Sequence, residues 1–326
     1  MTLPYLWRLV CLCFASFFVL NAVAALLVRI SSKSAIRFAE SRAPGTAARF
    51  LLGLRILPLA LAILFVGVLC VPSYLWLEPA AAAERVGLLS VVLGLLGALT
   101  WSVSVARTAH SLASSLRHNR LCRLAGEEIR VPGESSSLVI VENDAPLLAL
   151  SGLVRPRLLI SSSVLHALSS EELDTALAHE QAHRRSHDNA KRFLLLFAPD
   201  IFPFVRPLRT LERTWSKFAE WAADDQAAGG DARRAVSLAA ALVQVARMGS
   251  GPRLPFLSTS LLACDRDLSA RVNRLLQAFP IAPARFAPAP ARLRTISLFL
   301  GAGVAALLLA PSALPLVHEL LELFLR

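Results

Sequence analysis

Three histidines and a glutamate stand in the stretch "ALAHEQAHRRSHDNAKR", residues 176–192, at a spacing that suits a metal ion. His179 and His183 are four residues apart, and on a helix such residues lie on one face about 6 Å apart. The two imidazoles can therefore bind one zinc ion. Glu180 is rotated by about 100° from His179, beside the open coordination position. There it can take a proton from a bound water molecule and pass it to a leaving amine, so the pattern predicts metal-assisted hydrolysis.

His187 continues the four-residue spacing, but it lies about 12 Å along the helix from His179. No glycine separates the two residues, so we expect one continuous helix that carries His187 away from the ion. We interpret it as a solvated or headgroup-facing histidine and not as a third ligand.

Glu220 in "FAEWAADDQAA" is the better candidate for the third ligand. It lies 37 residues after His183, in a stretch of helical composition, and Asp224 follows it at i+4 on the same helix face. One carboxylate can bind zinc while the other accepts the N–H of a zinc-bound histidine and fixes its tautomer. The alternative is a solvated acidic helix face, and Glu212 and Asp225 are the fallback ligands.

A donor for the developing oxyanion is harder to identify, because Tyr5 and Tyr74, the two tyrosines, stand at or near apolar segments. Arg271 or Arg274 in "DLSARVNRLL" can donate to such an oxygen. Snorkelling or ion-paired structural arginines are the more ordinary interpretation of both residues.

The chain that must position these residues is unusually apolar, since 55% of its 326 residues are hydrophobic and its mean hydropathy is +0.57. Four blocks of about 20 apolar residues are each long enough to cross the hydrocarbon core of a membrane as a helix. They cover residues 9–28, 56–76, 86–106 and 296–317. A signal peptide is the alternative for the first block, but its length and the single preceding Arg8 favour a retained helix.

Basic residues indicate how these helices are oriented. The chain has a net charge of +11, and its arginines and lysines flank the apolar blocks, with Arg29, Lys33, Arg37, Arg42 and Arg49 in a loop expected at 29–55. The positive-inside rule places that loop and the middle segment in the cytoplasm of a bacterial inner membrane, with both termini outside. Because the charge follows the apolar blocks, we expect no direct nucleic-acid binding. A channel or transporter is also disfavoured, since the spans carry few ionisable residues.

The middle segment, 107–279, is the part able to fold in water, and we expect it to contain a small β-sheet. Two aliphatic runs, "SLVIVE" at 137–142 and "RPRLLIS" at 155–161, are typical of strands. A Pro/Ala/Arg-rich linker at 280–294 then leads to the last span and a short tail, 295–326.

Helix start and stop signals complete the pattern. Ser169 and Glu172 form a capping-box sequence before the HExxH helix, and Gly229 follows the helix that carries Glu220. The expected fold class is a mostly α membrane protein with four transmembrane helices and a cytoplasmic α+β zincin-like metallopeptidase domain.

The run "LSGLVRPRLLISSSVLHALSSEELDTALAHEQAHRRSHDNAKR", followed by "AEWAADDQAA", resembles the integral-membrane zinc metallopeptidases of the BlaR/MecR antirepressor type. The resemblance implies one Zn²⁺ held by His179, His183 and Glu220. It also implies that Glu180 is the base, that Asp224 supports a ligand and that Asp188 is the family's aspartate after HExxH. The substrate would be a protein or peptide, such as a transcriptional repressor, paired with "PRLLIS" as an edge strand.

Only "HELLELFLR" follows Val317, where the best-known members carry a penicillin-binding sensor, so we expect that this chain is not itself a β-lactam receptor. The HtpX and CAAX-protease group shares both motifs and supplies the alternative of quality control or processing of membrane proteins. A non-catalytic signalling scaffold is the alternative of another class, although four protein ligands usually close a structural zinc site. The oligomeric state is left open.

Overall fold

The computed structural model describes residues 5–77, 87–130, 137–143, 145–153, 156–200, 208–249, 257–260 and 268–277, with 314, 315 and 319. Within these residues the chain is mostly helical and contains one small mixed sheet. The expected fourth span and the expected linker at 280–294 lie outside the described residues, apart from Leu314 and Pro315.

Among the described residues, three helices are long and apolar enough to cross a membrane, and they cover Tyr5–Glu40, Pro44–Leu77 and Leu88–Leu124. The first is α1 and the third is α4 (Leu88–Ala125). The second consists of α2 (Pro44–Phe65), a π-helical turn (Val66–Cys70) and α3 (Val71–Leu77). The first three expected spans fall on these helices, so the chain is a membrane protein.

The helices continue well past the expected spans, so most of the segment 29–55 is helical and α4 runs beyond residue 107 to Ala125. The division of the chain into domains stays a prediction. After α1 ends at Glu40, a short turn leads to Pro44, which has no N–H to leave unpaired at the start of α2. Hydropathy marks only where a helix can contact lipid. The flanking segments are rich in alanine, arginine and leucine, and these residues favour continuation of a helix in water.

Glycines allow α1 and α4 to approach closely. A Cβ atom at Gly97 would clash with the carbonyl oxygen of Phe14, and one at Gly94 would lie 2.9 Å from Sγ of Cys11. Small residues at such crossings let helix backbones come close, which is a common way of packing helices in membranes.

The sheet has the order β1-β2-β4-β3-β5. Its strands are β1 (Gly126–Arg130), β2 (Ser137–Val141), β3 (Leu148–Ser151), β4 (Arg157–Ser161) and β5 (Ser258–Ser260). β2 and β4 are parallel, and the other neighbours are antiparallel.

The expectation that "PRLLIS" is an edge strand is wrong, because β4 lies between β2 and β3. Its residues Leu159 and Ile160 are buried. Continuous aliphatic runs are typical of strands covered on both faces, and here the strand is also paired on both sides.

Six shorter helices complete the described part of the chain. They are α5 (Ser162–Ala167), α6 (Ser170–Arg185), α7 (Asp188–Phe197), α8 (Arg209–Ala228), α9 (Ala232–Arg247) and α10 (Leu268–Gln277). The capping box is confirmed, since Ser169 and Glu172 exchange side-chain hydrogen bonds with each other's backbone at the start of α6. α8 ends at Gly229, which has a left-handed φ of 60°.

The expectation of one continuous helix through His187 is also wrong. α6 ends at Arg185, and His187 has a left-handed φ of 55° before α7 begins at Asp188. The turn brings Asp188 back to His183, whose Nδ1 lies 2.7 Å from its carboxylate. This contact between residues five positions apart favours a break in the helix that no glycine or proline in the sequence indicates.

Two hydrophobic cores place α8 between the membrane helices and the sheet. In one core, Ala47, Ala48 and Leu51 of α2 share a cluster with Leu211 and Phe218 of α8. The other core joins the sheet to α6, α9 and the last turn of α8, which contributes Ala227 and Ala228. Burial of these apolar side chains is the main term that stabilises the arrangement. The helix that carries Glu220 is therefore packed directly on an extension of a membrane helix.

Candidate metal centre

The three residues expected to bind the metal lie together, with ligand atoms within 4.8 Å of one another. His179 Nε2 and His183 Nε2 are 3.2 Å apart, and Glu220 Oε2 lies 3.5 Å and 3.6 Å from them. Ligand atoms at about 2.0–2.1 Å from a tetrahedral zinc ion are roughly 3.3–3.4 Å apart. The triangle of donor atoms therefore has the size of one face of a tetrahedral zinc site.

The state of Glu220 also fits a bound cation. Its side chain is 2% exposed, and neither carboxylate oxygen has a hydrogen bond of good geometry among the described residues. Burial raises the pKa of Glu220, but the charge of His183, the contact with His179 and the charge of Arg271 outweigh burial and hold it well below the usual range. Arg271 lies 3.2 Å from Oε2, and a cation bound between the three donor atoms would add the coordination that the buried carboxylate lacks.

Each histidine has a carboxylate on its other ring nitrogen. His179 Nδ1 lies 3.0 Å from Asp224 Oδ1, and His183 Nδ1 lies 2.7 Å from Asp188 Oδ2. Burial raises the pKa of each aspartate, yet their positive partners lower it overall. Such contacts fix the ring orientation and leave both Nε2 atoms facing the cation position.

Glu180 follows His179 on α6 and is completely buried. Burial raises the pKa of its carboxyl, and the charges of the two histidines only partly oppose this. A carboxyl group with a raised pKa is suited to accept and return a proton near neutral pH.

Of the two candidate oxyanion donors, the structure brings Arg271 to the centre. Its guanidinium contacts both oxygens of Asp224, at 2.9 Å and 2.6 Å. It also lies 3.2 Å from Glu220 Oε2 and 3.4 Å from His179 Nε2. Arg274 instead binds Asp225, at 2.6 Å and 2.7 Å.

Arg192 is a residue of the centre that the sequence interpretation missed. Its Nη2 lies 3.8 Å from Glu220 Oε1, and its guanidinium lies 5.9 Å from the centre of the Trp215 ring. Its side chain is 12% exposed, whereas the proposed ligands are fully buried. In sequence it is one of several arginines after HExxH, so only the packing of α7 on α8 distinguishes it.

The fallback ligands lie elsewhere. Glu212 binds Arg55 at 2.9 Å, and Asp225 binds Arg274. His187 is exposed and does not belong to the group of residues that could hold a metal ion.

The fold and the site together define a membrane protein with a buried His-His-Glu cluster able to hold a metal ion. A family model described as BlaR1 peptidase M56 matches residues 4–275, which is most of the chain. The chain belongs to this family of membrane metallopeptidases, and the resemblance found in the sequence is confirmed. A comparison with curated proteins found no match.

Proposed function

We propose that the protein is a membrane-embedded zinc endopeptidase that cuts peptide bonds in cytoplasmic or juxtamembrane protein substrates. The triangle of His179 Nε2, His183 Nε2 and Glu220 Oε2 carries this proposal, because its sides of 3.2, 3.5 and 3.6 Å fit one zinc ion. Three protein ligands leave one position for water or substrate, as in catalytic zinc sites. Within the family, a transcriptional repressor cleaved during signalling is the substrate class that we infer.

A zinc ion bound there would supply a Lewis acid that polarises the scissile carbonyl and acidifies a water molecule. Glu180, next to His179 on α6, would be the base that takes up a proton and delivers it to the leaving nitrogen. Asp188 accepts the Nδ1 proton of His183, and Asp224 Oδ1 lies 3.0 Å from His179 Nδ1, so the two carboxylates favour the tautomers with a free Nε2.

Two arginines can stabilise negative charge that develops on the substrate. Arg271 is closest to the donor atoms, but its guanidinium is already bound to Asp224 and Glu220, so it mainly positions these carboxylates. Arg192 is the partly exposed one, and its Nε has no hydrogen-bond partner among the described residues. We therefore assign Arg192 as the hydrogen-bond donor to the developing oxyanion of the substrate. Arg271 is assigned as the residue that holds α8, the helix that carries Glu220, in place.

The charge around the centre favours a divalent cation. Four carboxylates face three cations among the described residues, so the centre carries a net negative charge when both histidines are neutral. The carboxylates are Glu180, Asp188, Glu220 and Asp224, and the cations are Lys191, Arg192 and Arg271.

The charged flanks of the long helices support a cytoplasmic centre. Arg117, Arg120 and Arg123 lie on the exposed end of α4, just before the sheet begins. Basic residues next to membrane spans favour the cytoplasmic side. We propose on this basis that the centre faces the cytoplasm of a bacterial inner membrane and that both termini lie outside.

The test is the zinc content and proteolytic activity of the purified full-length protein beside Glu180→Gln and His183→Ala. We expect Glu180→Gln to keep zinc and lose at least about 100-fold in cleavage rate, since general-base catalysis contributes about 10²–10⁴. His183→Ala should lose zinc. A Glu180→Gln protein that cuts like wild type, or a wild type without zinc, would overturn the proposal. Membrane-associated peptides that disappear in Glu180→Gln cells would identify the substrate.

A further inference from the structure

A buried network of charges joins two membrane helices to the segment between α7 and α8. Arg55 on α2 is 2% exposed, and it donates to Asp200 Oδ1 at 3.1 Å and to Glu212 Oε1 at 2.9 Å. Arg107 on α4 donates to the other oxygen of Asp200 at 3.2 Å. Two arginines and two carboxylates thus neutralise one another, as buried charges require. None of these residues contacts the candidate metal centre in the described contacts.

The same membrane helices cap the C-terminal end of α7. Arg107 Nη2 donates to the carbonyl of Leu196 at 2.8 Å, and the Ser104 hydroxyl lies 2.7 Å from the carbonyl of Phe197. Arg55 Nη2 lies 3.4 Å from the next carbonyl, that of Ala198. The last carbonyls of a helix have no partner inside it, and cations are favourable there. α2 and α4 therefore fix where α7 ends.

The other end of α7 is fixed at the metal centre. Its first residue, Asp188, holds His183, and Asn189 donates to the carbonyls of Leu150 and Gly152 at 3.2 Å and 2.9 Å. α7 has 10 residues, so it spans about 15 Å at a rise of 1.5 Å per residue. α7 thus connects the membrane helices α2 and α4 to His183, one of the proposed metal ligands.

α8 is a second connection between the same network of charges and the metal centre. Glu212 in its first turn binds Arg55, and Glu220 follows two turns later, about 12 Å along the helix. Arg55 is thus in contact with the beginning of α8 and with Asp200, three residues past the end of α7.

We propose that Arg55 is a positioning residue of the metal centre. Through Asp200 and Glu212 it sets the placement of α7 and α8, and so the placement of Asp188 and Glu220 around the metal. The inference rests on the proposed function, because it takes Glu220 to be a zinc ligand and Asp188 to be the carboxylate that orients a second ligand, His183. It follows that the relative position of α2 and α4 tunes zinc affinity without any contact with zinc.

The test measures zinc affinity of the full-length protein in detergent micelles, by competition with a chromophoric chelator. Arg49→Gln is the matched control, since Arg49 lies on α2, is exposed and makes its described hydrogen bonds within its own helix. We expect about 10-fold weaker zinc binding for Arg55→Gln, because residues that orient ligands typically change affinity about 10- to 100-fold. Arg107→Gln should weaken zinc binding less than Arg55→Gln does, and Arg49→Gln should leave it unchanged. Arg55→Lys should bind zinc with an affinity between those of Arg55→Gln and the wild type.

A second readout separates positioning from a merely structural role. Cobalt(II) placed in the centre should show an altered visible absorption spectrum in Arg55→Gln and an unaltered one in Arg49→Gln. Wild-type zinc affinity in Arg55→Gln would overturn the inference even if the thermal midpoint fell, while the proposed function would stand. A wild-type protein without zinc would overturn the proposed function instead. If Arg55→Gln does not fold, Arg107→Gln decides, and wild-type affinity in that variant overturns the inference.

Discussion

At the residue scale, Asp224 and Asp225 show how one step along a helix separates two roles. Asp224 is completely buried between His179 and Arg271. Asp225 is 39% exposed and pairs with Arg274. A step of about 100° around α8 turns the first carboxylate toward the metal centre and the second toward the surface. The sequence placed both in one acidic run, and only burial distinguishes them.

We expect Asp224→Asn to weaken zinc binding about 10- to 100-fold, since the amide no longer provides a charged acceptor for His179 Nδ1 and leaves Arg271 partly unpaired. Asp225→Asn is the matched control and should bind zinc like wild type. Chelator competition on the folded protein measures both. Equal losses in the two variants would show that the environment of Asp224 is not what supports the ligand.

The protonation of His183 predicts a pH dependence of metal uptake. Burial lowers its pKa, but Glu220 and Asp188 more than compensate and raise it to about 10 in the metal-free protein. The protonated imidazole therefore stabilises the metal-free fold fully below the unfolded pKa of about 6.5, and this contribution is lost as the pH rises through about 10.

A metal ion needs the neutral ring, so zinc uptake at pH 7 should release the proton of His183 and apparent affinity should rise about 10-fold per pH unit for that proton. Calorimetric titration with zinc in two buffers of different ionisation enthalpy measures the release. A heat that is independent of the buffer would contradict the prediction.

The proposed ligands follow from the sequence, whereas the partners of the arginines around them do not. The spacing of His179 and His183 is local to one helix, and the motif around Glu220 is local to another. Arg271 reaches Asp224 across 47 residues of sequence, a pairing that depends on how α10 packs and that no periodicity reveals.

At the element scale, the break between α6 and α7 decides what Asp188 can do. A continuous helix would carry Asp188 about 100° around the axis beyond His187, whereas the turn returns its carboxylate to His183. The helix propensities of the residues around His187 do not indicate this turn. The contact between Asp188 and His183 that stabilises it forms only once the chain has turned. For the same reason the sheet order was not visible in the aliphatic run of β4, since a strand's own residues do not specify its neighbours.

We expect His187→Gly to stabilise the protein by about 0.5–1 kcal/mol, because a left-handed φ is unfavourable for residues with a Cβ and favourable for glycine. His187→Val should destabilise it, and His187→Asn should lie between the two. The midpoints of thermal unfolding in detergent measure the order of stability of the three variants. Zinc content should be unchanged in all three variants, and loss of zinc in His187→Gly would show that this histidine is a ligand.

At the scale of the whole molecule, the membrane helices are part of the peptidase and not only its anchor. The apolar blocks predicted where three helices can meet lipid, but hydropathy contains no information on how far those helices continue in water. Their extensions form one side of the core under α8, in which Leu51 lies near Trp215 in the same cluster. Removal of the membrane helices would therefore expose the helix that carries Glu220.

The close approach of α1 and α4 predicts the most sensitive position of the membrane part. Gly97→Ala would place a methyl group against the backbone oxygen of Phe14, so the helices must separate. We expect a loss of about 1–3 kcal/mol in stability, typical of overpacking, and a lower thermal midpoint in detergent.

Gly53→Ala is the matched control, because nothing lies within 4 Å of its added Cβ and alanine favours the helix. Since α4 also carries Arg107, the separated helices should weaken zinc binding in Gly97→Ala but not in Gly53→Ala. Equal midpoints for the two variants would show that the packing of α1 on α4 tolerates a larger residue.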